Sequence, residues 1–203
     1  MGTQEEFIER KSAIYRYSID PALNQLMRDQ LVKRIEDANN ISHHVPRFGV
    51  IFTPNLPISR NYKETSDYGL LKEYQHLDIA ACGAVDLRDK LFRKTDIHEY
   101  YEGKQFKKEK FINDSKLKIR MVLLTALKTN HKDIVLGAMG CGAYLNDVNV
   151  VAQCFDDVIN ESQFANKFDH IYFAILGKHN AGPFSKQFER MINNEQKEIG
   201  TEH

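Results

Sequence analysis

Two stretches of the sequence carry residue types at spacings that can do chemistry. Gln4-Glu5-Glu6 puts two adjacent carboxylates near the amino terminus. A carboxyl group can protonate a departing oxygen and then, ionised, activate a water molecule. The same residues also read as a helix start, because Thr3-x-x-Glu6 spells a capping box. Taken alone, those few residues favour the cap. The second stretch is LGAMGCGAYLND, residues 136–147. Gly137, Gly140 and Gly142 fall between an apolar β run and a helix start near Asn146–Val148. Glycines admit positive φ and let backbone amides approach a ligand bare. Such a turn, backed by a helix start, suits a diphosphate. The spacing is not G-x-G-x-x-G and no Walker lysine follows Gly142, so the usual dinucleotide and P-loop readings fail. On spacing alone, phosphate binding and tight strand–helix packing stay equally open.

Cys141 is a third candidate, since a thiol near a helix start can ionise easily. A nucleophile elbow would need glycine at 139 and 143, where Met139 and Ala143 stand. Nothing fixes a histidine partner among the eight present, so Cys141 reads as a small buried residue. His43-His44 and the other histidines lack metal-ligand spacing, and the cysteines do not supply it. No structural metal and no cofactor are expected.

These residues need a scaffold, and the apolar pattern supplies one. Residues 4–17 and 21–40 carry helical periodicity, the second opened by Pro21 and marked by Leu23, Leu26, Met27, Leu31 and Ile35. RFGVIFTP reads as a short buried strand closed by proline, and HLDIAACGA as another. The polar stretch between them reads as turns, with one minor strand at Ile58–Arg60. Residues 88–110 have the weakest pattern, and their basic KQFKKEK cluster reads as a solvated loop. A long helix around SKLKIRMVLLTALKTN follows, then a strand at DIVL, a helix at VNVVAQCFDDVI, a strand at FDHIYFAIL and a closing helix at PFSKQFERMIN. Strands alternating with helices predict one α/β domain over residues 1–203, with a mostly parallel sheet and a helix layer on each face.

Composition narrows the function. The 28 basic residues balance the 28 acidic ones, so no net field draws the chain to nucleic acid. No apolar run approaches a membrane span, and Glu6 replaces the Ser or Thr that a myristoylation start needs. Three cysteines without C-x-x-C spacing suit a reduced, cytoplasmic setting.

The order of these segments resembles the microbial-type poly(ADP-ribose) glycohydrolases of the macrodomain superfamily. LGAMGCGAYLNDVNVVAQCFDDVI…FDHIYFAIL resembles that family's carboxy-terminal signature, FGVIFTPNLPISRN its strand with a Ser/Thr-Pro step, and GTQEEFIERKSAIY its catalytic helix. The resemblance implies a three-layer α/β/α macrodomain-like fold. It implies hydrolysis of the ribose–ribose O-glycosidic bond of poly(ADP-ribose), or release of ADP-ribose from modified protein. By position Glu6 is the general acid and then base. Glu5, about 100° away around a helix, would hold the distal ribose hydroxyls. Gln4, Thr53 and the run Gly137, Ala138, Met139, Gly140, Cys141, Gly142, Ala143 and Tyr144 would bind ligand, with Tyr144 against the distal ribose. The expected partner is ADP-ribose, or an ADP-ribosylated protein or polymer, with no direct nucleic-acid binding and no membrane.

Two departures shape further expectations. The family places a strand and a Gly-Gly-Gly loop before Gln-Glu-Glu, where only Met1-Gly2-Thr3 stand here. The expected fold is therefore an amino-terminally shortened macrodomain. A homodimer, a strand-donating partner or a segment of residues 88–112 would fill the sheet. The family's Ala-Pro-Asn is Ala84-Val85-Asp86 here, which adds a negative charge near an anionic ligand. The rival reading is a non-catalytic ADP-ribose or NAD-metabolite binding module that kept the diphosphate cradle.

Overall fold

A computed structural model describes residues 47–60, 69–88 and 96–199. The chain divides into two compact units, one of residues 1–46 and Ile51–Ala81, the other of Arg47–Val50 and Cys82–His203. The helices expected at 4–17 and 21–40 lie outside the described residues, as do Gln4, Glu5 and Glu6.

The described part of the first unit is an antiparallel hairpin of β1 (Ile51–Arg60) and β2 (Leu70–Ala81). The expectation of a short buried strand ending at Pro54 is corrected. β1 runs on through Pro54 and Pro57, and the stretch expected as turns supplies much of both strands. Among the described residues β1 pairs only with β2, and an edge strand tolerates proline. The register shifts between Thr53 and Leu56. There Asn55 takes a left-handed φ of 53° and its amide donates to the Asp78 carboxylate at 2.7 Å. The bulge absorbs the Pro54-Asn55 pair.

The second unit contains α1 (Ile97–Tyr100), β3 (Tyr101–Glu102), β4 (Gln105–Phe106), α2 (Lys108–Lys128), β5 (Asp133–Leu136), α3 (Val148–Ile159), β6 (His170–Phe173) and α4 (Lys178–Ile199). β5 and β6 pair in parallel, Asp133 opposite His170 through Leu136 opposite Phe173. A parallel pair cannot be closed by a tight turn, and α3 makes the crossover. Its Val148, Val151, Ala152, Phe155 and Val158 form one buried stripe. α2 buries Phe111, Ile119 and Leu123 against the same core, which also holds Val85, Tyr100, Phe164 and Phe184. Phe173 of β6 meets Phe155 edge-on at 5.3 Å and Phe188 of α4 stacked at 4.7 Å. Along β5 and β6 the alternate positions Val135 and Tyr172 are exposed, so the described helices cover one face of this pair.

α4 begins at Lys178, a turn before the expected Pro183. Gly177, at φ 81°, ends the preceding loop, and its carbonyl accepts the amides of Asn180 and Ala181. Pro183 then sits inside the helix, without an amide to donate.

The weakly patterned region is partly ordered by charge. Arg47 forks onto Glu99 with two bonds of 2.6 Å, while Tyr100 Oη and Lys110 Nζ both donate to Asp114. Lys107 pairs with Glu102, so the basic cluster spends part of its charge within the fold. β3 and β4 pair with each other and not with the β5–β6 sheet. Among the described residues, then, no strand from 88–112 fills a place in that sheet, which corrects one of the three expectations. A two-residue hairpin has too few ladder bonds to extend further.

Candidate functional site

The glycine turn leaves the carboxyl end of β5, where open α/β sheets bind ligands because loops diverge there. Gly137 through Tyr144 all fall in this one connection between β5 and α3. The turn is tied internally: Cys141 N–H donates to Ala138 O, Leu145 N–H to Gly142 O and Asn146 N–H to Gly140 O, at 3.1, 3.2 and 3.1 Å. None of these internal bonds is donated by the amides of Gly142, Ala143 or Tyr144, and Gly142 and Ala143 are exposed. The turn's own bonds therefore leave those three amides unused.

Gly140 is required by geometry. Its φ is 73°, and a Cβ there would overlap Asn146 Nδ2 and approach Ala84 Cβ to 3.0 Å. Gly142 differs: no heavy atom stands within 4 Å of the place its Cβ would take. One glycine serves the fold, and the other keeps the surface open. Leu145 also holds a left-handed φ of 60°, uncommon for a side chain of its size.

Asn146 is buried beneath the turn. Its Nδ2 donates to Met139 O at 3.4 Å, and among the described residues its Oδ1 has no partner. Turning the amide over would face Oδ1 towards the Met139 carbonyl, so the orphan acceptor belongs to this arrangement.

The helix start behind the turn is already occupied. Asp147 caps α3, its carboxylate accepting the Asn149 amide at 2.9 Å. That negative charge sits on the positive end of α3. The expected anion site therefore rests on the turn's own amides. Burial first, then the Asp147 charge, pushes the Cys141 thiol up to about 12, the opposite of the lowering an activated thiol needs. A protonated thiol suits the packing role read from the sequence.

The second wall of the site is the segment Ala84–Arg88. Leu87 N–H donates to Tyr144 O at 3.1 Å. Arg88 grips Asp86 through Nε and Nη2, with bonds of 2.9 and 2.6 Å, and lays its guanidinium 5.0 Å from the Tyr144 ring centroid. The Asp86 amide in turn donates to the Asp96 carboxylate. The extra negative charge expected from Asp86 is thus answered within the fold. Burial alone would push the Asp86 carboxyl up, but the Arg88 donors and charge together hold it below the usual carboxylate range. Sequence reasoning passed over Arg88 and Asn146. Their signal was faint: a basic residue two positions after an Asp, and an Asn two positions beyond an aromatic.

Thr53 lies on β1 in the first unit, paired with Ile79. Among the described residues no group of three or more His, Cys, Asp or Glu could hold a metal ion, and no helix is long and apolar enough to cross a membrane.

This arrangement is an α/β fold built around a parallel strand pair, and solved structures share it. Among solved structures the chain is similar to poly(ADP-ribose) glycohydrolase from Deinococcus radiodurans in complex with ADP-ribose, at TM-score 0.66 and 22% identity, over 94% of this chain and 69% of that one. The Thermomonospora curvata poly(ADP-ribose) glycohydrolase matches at TM-score 0.63 and 21% identity, over 92% of this chain and 61% of that one. No protein-family model matches the chain, and no curated protein matches it.

Proposed function

We propose that residues 1–203 form one macrodomain-like domain that hydrolyses the ribose–ribose O-glycosidic bond of poly(ADP-ribose), or releases ADP-ribose from modified protein. The observation that carries the reading is the 137–144 turn at the carboxyl end of β5, in a fold shared with an ADP-ribose complex. In this reading the diphosphate lies on the amides of Gly142, Ala143 and Tyr144. The resemblance read in the sequence gives Glu6 the proton work and Glu5, with Gln4, the distal ribose. The transition state of such a cleavage is oxocarbenium-like, so Glu6 protonates the departing oxygen and then activates water. Near neutral pH that role needs a carboxyl whose pKa is raised, as burial under a bound ligand would do. Reduced thiols fit a cytoplasmic setting, and all three cysteines are unpaired.

Glu6→Gln keeps the shape and loses the proton. Release of ADP-ribose from polymer should fall by roughly two to four orders of magnitude, the usual worth of a general acid, while ADP-ribose affinity changes little. Wild-type protein that binds ADP-ribose and releases none from polymer or modified protein would move the reading to a non-catalytic ADP-ribose-binding module.

A further inference from the structure

Nothing in the turn itself carries a full positive charge, and two carboxylates flank it. Asp147 caps α3 and lies near Cys141; Asp86 stands on the opposite wall. Asp86 is already answered by Arg88, whereas among the described residues the Asp147 charge is held only by uncharged donors at the start of α3. Between the Asp86 wall and the turn lies Arg88, stacked on Tyr144.

We propose that Arg88 is the side-chain cation of this site: held by Asp86 and seated on Tyr144, it takes a phosphate oxygen of the ligand's diphosphate. The inference rests on the turn being the diphosphate site. Two contacts fix the guanidinium beside the turn, the two-pronged Asp86 bond and the Tyr144 ring, and the neighbouring Leu87–Tyr144 backbone bond ties the two segments together. Such fixing lowers the ordering cost of binding. The Arg88 side chain is 31% exposed and lies against the last residue of the turn, Tyr144. Arginine suits the task because its planar fork matches phosphate oxygens, which a lysine ammonium does only as a point charge. Asp86 is the positioning residue, acting through Arg88. One face of Tyr144 is covered by the guanidinium, so a ligand approaching that side meets Arg88 before the ring.

Calorimetry on the full chain with ADP-ribose and with ADP tests this at low and high salt. Arg88→Ala should weaken both ligands by about tenfold or more, the worth of a hydrogen bond to a charged group. It should also flatten the salt dependence of binding, and Arg88→Lys should recover part of the loss. Unchanged affinity in Arg88→Ala, with binding lost in Gly142→Val, would overturn the Arg88 assignment and leave the turn as the site. Loss for ADP-ribose with ADP unaffected would overturn the diphosphate contact. Wild-type protein that binds neither ligand would overturn both readings together. If Arg88→Ala does not fold, Arg88→Lys against Arg88→Gln decides: several-fold tighter binding by Lys is expected, and equal affinities contradict the proposal.

Discussion

Single residues settle what the glycine turn can do. Gly140 and Gly142 look alike in sequence, yet of the two only Gly140 has a left-handed φ and a neighbour where a Cβ would stand. Gly140→Ala should destabilise the fold by about 2–4 kcal/mol, combining backbone strain with overlap on Asn146. Adding Asn146→Ala should return the steric share and leave the strain. A double-mutant cycle in urea should therefore give a coupling of about 1 kcal/mol or more, and strict additivity would refute the contact. Cys141 offers a second check. With its thiol pushed up to about 12, alkylation at pH 8 should be slow, and Cys141→Ala should retain ADP-ribose binding. Rapid alkylation specific to Cys141 would show an ionised thiol and contradict the packing role.

At the scale of elements, what was legible followed apolar periodicity. The helix VNVVAQCFDDVI coincides with α3 because its buried positions recur at helical spacing. The strands at DIVL and HIYF were legible as apolar runs between turns. β1 and β2 were half-legible, because exposed edge strands need no apolar alternation and Pro54 hides in a bulge. The Asp86–Arg88–Tyr144 wall was not legible, since its members meet only when the segment after β2 folds against the loop after β5. Lys118 is a similar case. It falls on the buried stripe of α2, 3% exposed, where a pattern reader expects an apolar residue. Its Nζ donates to the carbonyls of Arg47 and Gly83 and lies 5.1 Å from the Phe48 ring centroid. One ammonium thus pins two chain segments to α2. Lys118→Met would take that donor from both carbonyls and leave a buried position of α2 without its tie to either segment. The urea midpoint should fall by the equivalent of about 2–4 kcal/mol, with the slope unchanged. An unaltered midpoint would show that the lysine is dispensable.

Over the whole molecule, carboxylates paired with cations set the acid limit of stability. Arg47 above all holds the Glu99 carboxyl below its ordinary value, as Arg120 does for Glu161. For Asp86, Asp114 and Asp157 burial pushes upward, and the bonds from Arg88, from Lys110 with Tyr100, and from Lys116 with Gln153 outweigh it. A carboxyl whose folded pKa is lowered contributes stability that is complete above its unfolded value. That contribution disappears as pH falls through the folded value. The ordinary values here are 3.8 for Asp and 4.5 for Glu. Urea midpoints should therefore stay nearly level from pH 7 to 5 and decline below about pH 4. Each pair is partly exposed, so the decline should be shared and moderated by salt. Stability that rose on acidification to pH 3 would contradict the pairing.

The central claim is that the turn after β5 holds the diphosphate of ADP-ribose on its backbone amides. Amide nitrogen–proton correlation spectra of the labelled chain, recorded during titration with ADP-ribose, address it directly. The largest shifts should fall on Gly142, Ala143 and Tyr144, with smaller ones at Leu87 and Arg88. Saturable binding that leaves the amides of residues 137–144 unmoved would place the ligand elsewhere and contradict the account.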